Sequence, residues 1–99
     1  MIDDVTFHLA VLTVSLHIPE SQSLKDKRMA VRSLKDRIKA KYNVSVAEVG
    51  GHDKWQVAVL AVAMIGTDNR LIDNNLQSVL AFVEGFGPVQ LCEHRIEFY

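Results

Sequence analysis

The 99-residue sequence predicts an α+β domain of ferredoxin-like topology, with a four-stranded antiparallel sheet and two helices on one of its faces. Three observations predict it. Segments rich in β-branched and aromatic residues and segments of helical periodicity follow one another as strand, helix, strand, strand, helix, strand. The connections between them are short. Right-handed crossovers then put the first and third strands at the centre, and these two carry the longest apolar runs. A chain of this length buries one core, so a single domain over residues 1–99 is expected.

Val5 to Ile18 reads as the first strand, since Val, Ile, Leu, Phe and Thr dominate it, and Pro19 ends it. Ser23 stands three residues before Asp26 and caps a helix that begins near Leu24. Leu24, Val31, Leu34, Ile38 and Tyr42 form its apolar stripe, and Asn43 suits a left-handed cap at its end. The weak alternation of Asn43 to Gly50, the turn Gly50-Gly51-His52-Asp53 and the strand Trp55 to Ile65 make a hairpin. Thr67 or Asp68 caps the second helix. Its stripe is Leu71, Ile72, Leu76, Val79, Phe82, Val83 and Phe86, and Gly85, Gly87 and Pro88 stop it before a last strand, Val89 to Tyr99.

Composition narrows the function. Apolar residues make up 48% of the chain and charged ones 23%, as in ordinary globular domains. The one cysteine, Cys92, forbids an internal disulfide and favours a reducing, cytoplasmic location. The stretch from Val5 to Ile18 is too short to span a bilayer and follows Asp3 and Asp4 in place of a basic leader, so no membrane association or export is expected.

Both faces of the central strands look dry. Val57, Val59, Ala61, Ala63 and Ile65 project one way along the third strand, and Ala58, Leu60, Val62 and Met64 the other. Along the first strand Ala10, Leu12, Val14, Leu16 and Ile18 oppose Val5, Phe7, Leu9 and Val11. Helices cover one face, so a homodimer is expected to cover the second, with Leu9, Val11, Val57, Val59 and Leu60 as candidate contacts. Stacking of RNA bases on this sheet is disfavoured, because only Phe7 and Trp55 offer rings and the basic, glycine and aromatic signature of such domains is absent.

The net charge of -1 hides a segregation. Eight of the eleven Lys and Arg residues lie between positions 25 and 41, where with Asp26 and Asp36 they sum to +6, leaving -7 elsewhere. Lys25, Arg28, Arg32, Lys35 and Lys39 share a sector of about 80° and extend about 21 Å along the helix. Like charges three or four residues apart repel, and only Asp36 beside Arg32 offers relief. Such a row is a track for the phosphates of RNA, with Lys27 and Arg37 as possible additions, although Lys27 and Lys41 also suit the edge of the core. The alternative is docking of the same helix on an acidic protein partner.

Enzyme chemistry finds no constellation. The four histidines are scattered, and Cys92 with His94 supplies two metal ligands where a site needs more, so a buried Cys92 and a surface His94 are expected. Gly85-Phe86-Gly87 follows a helix, whereas a phosphate loop opens one. Ser15, Ser21, Ser23 and His17 lack a positioned acid, and Pro19 to Ser23 has neither the Arg nor the Gly of an acylphosphatase-like anion loop. No catalytic residue, metal or cofactor is expected.

Leu16-His17-Ile18-Pro19, Ser23-Leu24-Lys25-Asp26-Lys27-Arg28, Tyr42 to Glu48 and Asp53-Lys54-Trp55-Gln56 together resemble the YlxP-like family of small bacterial proteins. The resemblance implies a ferredoxin-like fold, no established enzymatic activity and an association with translation, because relatives' genes tend to neighbour those for initiation and ribosome-maturation factors. It maps onto Ser23, Lys25, Lys27 and Arg28 at the start of the basic row, and onto Asn43, Glu48, Trp55 and Gln56, to which it assigns no role. The combined expectation is a cytoplasmic, non-enzymatic homodimer that binds RNA, on a ribosomal particle or precursor, through its first helix.

Overall fold

A computed structural model describes all 99 residues. The elements are β1 (His8–His17), α1 (Leu24–Lys41), β2 (Ser45–Gly50), β3 (Val57–Gly66), α2 (Asn69–Glu84) and β4 (Gln90–Phe98). The sheet runs β2-β3-β1-β4 with every neighbouring pair antiparallel, which is the ferredoxin-like fold.

The long apolar strands are central because each must satisfy hydrogen bonds on both edges. β1 starts at His8, three residues later than the apolar run, since β3 ends opposite it at Gly66 and leaves Val5 to Phe7 without a ladder partner. Register then decides which face each residue takes. Ala10, Leu12, Val14 and Leu16 lie opposite Met64, Val62, Leu60 and Ala58, and all but Met64 are buried beneath the helices. Leu60 therefore belongs to the core and not to the second face, where it was expected among the dimer candidates. Leu9, Val11, Val57 and Val59 do lie on that second face, half-buried.

Two bulges adjust the edge strands. Leu91 pairs with Leu16 and Glu93 with Ser15, so Cys92 is an extra residue in β4. The insertion brings Leu91 and Ile96, five residues apart, onto the same helix-covered side, which strict alternation forbids. It also leaves Cys92 exposed rather than buried. In β2 the extra residue is Val49, between Glu48 opposite Leu60 and Gly50 opposite Val59.

Helix boundaries follow their caps. The Ser23 hydroxyl accepts from Asp26 N at 3.0 Å, and Asp26 Oδ2 accepts from Gln22 N at 3.0 Å, so the first turn is closed reciprocally. Asp68, rather than Thr67, caps α2 by accepting from Arg70 N at 2.8 Å and Leu71 N at 3.4 Å. No left-handed cap forms at Asn43. Tyr42 ends α1 in an extended conformation (φ -130°), which turns the chain straight toward β2. Along α2, Leu71 is 58% exposed, and Leu80 occupies the core instead.

These placements have a thermodynamic consequence. Leu60→Ala is expected to lower unfolding free energy by about 2–5 kcal/mol through lost burial and a residual cavity. Asp68→Ala should cost about 1 kcal/mol through two orphaned amides. Urea denaturation of both variants measures the two values.

Candidate nucleic-acid interface

Helical periodicity and one buried ammonium orient the basic helix. Val31, Leu34 and Ile38 point into the core, and Lys27, only 1% exposed, points with them. Its Nζ donates to Gly51 O at 2.7 Å, His52 O at 3.2 Å and Val57 O at 3.2 Å. An ammonium has three N–H groups, and these carbonyls use all of them. Glu48 Oε2 lies 3.1 Å from the same Nζ without forming a hydrogen bond, so the carboxylate contributes charge rather than a fourth donor contact. Gly51 makes the convergence possible. It adopts φ +74°, and a Cβ there would stand 3.0 Å from Val57 O, one of the acceptors.

Lys27 is thus unavailable to a phosphate, contrary to its candidacy for the row. Its position on the helix carried the signal, since at about 100° per residue it falls between Leu34 and Val31 within the apolar stripe. Arg37 also leaves the row. Its Nε donates to Ser33 Oγ at 3.3 Å, and its guanidinium stands 5.7 Å from the Phe86 ring centroid, on the side facing α2. Lys41 rests over Tyr42 and Phe82 at 5.8 and 5.4 Å.

The five principal candidates behave differently. Arg28, Arg32, Lys35 and Lys39 line one groove together with Val31, Asp36 and Glu48, where α1 meets β2. Lys25 stands one turn before Arg28, at the N-terminal end of the row. Lys25, Arg28, Arg32 and Lys39 are exposed and Lys35 is half-buried. The ion pairs of the molecule are Lys27 with Glu48 and Arg95 with Glu97, so none of the five is neutralised. The relief expected from Asp36 is absent, because no Arg32 contact to it falls within 4 Å. Since Glu48 is matched by Lys27, the groove keeps a positive excess.

Three other residues singled out in the sequence find places. The Gln56 amide donates to Pro19 O at 3.2 Å and Ser21 O at 3.0 Å, fastening the loop that leads into α1. Trp55 precedes β3 and is 56% exposed. Phe7 precedes β1, so β1 and β3 proper present no Phe, Tyr or Trp ring on the second face. No three His, Cys, Asp or Glu side chains cluster as a metal site would require. No helix is long and apolar enough to cross a membrane.

The two-layer fold and the groove lined by Arg28, Arg32, Lys35 and Lys39 define a small ferredoxin-like protein with a cationic edge along α1. The family described as "Protein of unknown function (DUF503)" matches residues 9–96, and the chain belongs to that family. It is 32% identical over 82 residues to the "Uncharacterized protein YlxP" of Bacillus subtilis (strain 168), covering 83% of this chain and 89% of the relative. Among solved structures it is similar to the "De novo designed protein Foldit4", with a TM-score of 0.55 and 14% identity over 93% of this chain and 96% of the other. That likeness concerns the fold alone.

The buried cation makes a sharp prediction. Lys27→Met leaves Glu48 and three carbonyls without their partner and is expected to cost about 3–5 kcal/mol. Glu48→Gln removes only the counter-charge, leaves the three carbonyl contacts of Lys27 in place and should cost less. Thermal or urea unfolding of the two variants orders them, and equal losses would contradict the assigned roles.

Proposed function

We propose that the protein is a non-enzymatic, cytoplasmic RNA-binding protein that holds the phosphate backbone along α1. The observation that carries this function is the uncompensated row Lys25, Arg28, Arg32, Lys35 and Lys39, four of whose members line one groove. Like charges at three- and four-residue spacing cost a helix a few tenths of a kcal/mol per pair. A bound polyanion converts that cost into affinity by displacing counterions. Arg28 and Arg32 offer paired donors to phosphate oxygens, and Lys35 and Lys39 act as point charges.

Binding of this kind follows backbone shape rather than sequence. Association with a ribosomal particle or its precursor accords with the link to translation that the family resemblance implies. Of the two carboxylates that line the groove, Glu48 is paired with Lys27, so Asp36 alone opposes the four cations there.

With five phosphates contacted, log affinity should fall with log salt at a slope of about -4 for duplex RNA, and less steeply for single strands. Arg28→Glu, Arg32→Glu and Lys35→Glu combined should abolish RNA retention while circular dichroism stays unchanged. Recovery of the native protein before and after nuclease digestion separates RNA from an acidic protein ligand. A complex that survives nuclease and depends on the same three residues would replace RNA with the protein.

A further inference from the structure

The second face of the sheet has no cover within the chain. Leu9 and Val11 of β1 and Val57, Val59, Ala61 and Ala63 of β3 occupy it, each half-buried by its neighbours and open above. Neither central strand carries Lys, Arg, Asp or Glu. We propose that this face docks on the same face of a second copy of the chain, as an isologous two-fold dimer layered helix, sheet, sheet, helix.

The available area supports that occupant. Two ten-residue central strands and their shorter neighbours present roughly 30 Å by 20 Å, or about 600 Å² per copy, from strand rise and spacing. Two copies then bury about 1,200 Å², the lower end of stable interfaces. The small side chains of Ala47, Ala61 and Ala63, with Gly50 beside Val59, let two sheets approach closely. A nucleic acid is a poor fit for the face, since the central strands offer it no Phe, Tyr or Trp to stack on and no Lys or Arg to hold phosphate.

The edge strand supplies charge complementarity. Glu93, Arg95 and Glu97 lie opposite Ser15, Thr13 and Val11, and so project onto this same face. Their order, negative, positive, negative, matches itself when reversed and shifted by one side-chain position. A two-fold axis crossing the strands near Leu12 and Val62 produces that shift and sets the exposed Arg95–Glu97 ion pair of one copy, 3.1 Å apart within the chain, head to tail against that of the other, so that each guanidinium faces two carboxylates. In such a dimer both α1 helices face outward. The two basic grooves remain open, and dimerisation does not compete with a ligand on α1.

Sedimentation of the intact chain at about 50 µM should give twice the 11.1 kDa chain mass. Val59→Glu with Ala61→Glu should give monomers, with the dissociation constant raised at least about 100-fold, while Arg32→Glu leaves the dimer unchanged. A wild-type monomer, or a dimer that survives the paired substitution, overturns the proposal. If the paired variant does not fold, the wild-type Ala61 and Ala63 methyl groups decide. Protection from a soluble paramagnetic agent that grows with protein concentration supports the interface, and concentration-independent exposure overturns it. Affinity of the monomeric variant for RNA is read separately, so failure of the dimer and failure of the basic groove are distinguishable.

Discussion

The orientation of α1 depends on one ammonium group. Lys27 reaches through the apolar stripe to three carbonyls, two of them in the turn between β2 and β3, and meets the only carboxylate on the inner side of β2. Burying a charge is unfavourable unless every donor is used and the charge is matched, and here both conditions hold. The contact also fixes the rotation of α1 about its own axis. With Lys27, Val31, Leu34 and Ile38 inward, a period of 3.6 residues sends Arg28, Arg32, Lys35 and Lys39 to one flank, above β2. The same lysine therefore stabilises the hairpin and sets where the free cations stand.

Charge and apolar surface are divided between the two sides of the molecule. On the helix side, seventeen apolar residues form one core, and the basic groove runs along its margin. On the other side, β3 carries only apolar side chains, β1 only apolar and hydroxyl ones between its terminal histidines, and charges appear at the β4 edge. An electrostatic ligand and an apolar partner would thus engage surfaces that do not overlap.

The element order, the central position of β1 and β3 and the cap at Ser23 were legible in the sequence, because each rests on local periodicity or on the chemistry of one side chain. The two bulges were not. A single extra residue in an edge strand leaves no compositional mark, yet Cys92 in the bulge decides the faces of Leu91 and Ile96 and its own exposure. Leu60 was assignable to a face only after the helices had chosen one, since Leu60 and Val59 belong to runs of equal dryness. For the site, the row from Lys25 to Lys39 was readable from spacing. Lys27 suits the row by its charge and the edge of the core by its angular position, and the carbonyls that decide between them lie more than twenty residues away. The missing contact between Arg32 and Asp36 has a similar origin, since spacing makes an ion pair possible on a solvated face without requiring it.

The most direct measurement for the proposed activity is a residue-resolved amide titration of the isotopically labelled protein with a short duplex RNA at low salt. Progressive shifts are expected, confined to residues 25–39 of α1 and the adjoining Glu48 segment of β2, with the outer face of β1 and β3 unaffected. Shifts centred on Val11, Val59 and Ala61, or no shifts at saturating RNA, would contradict it.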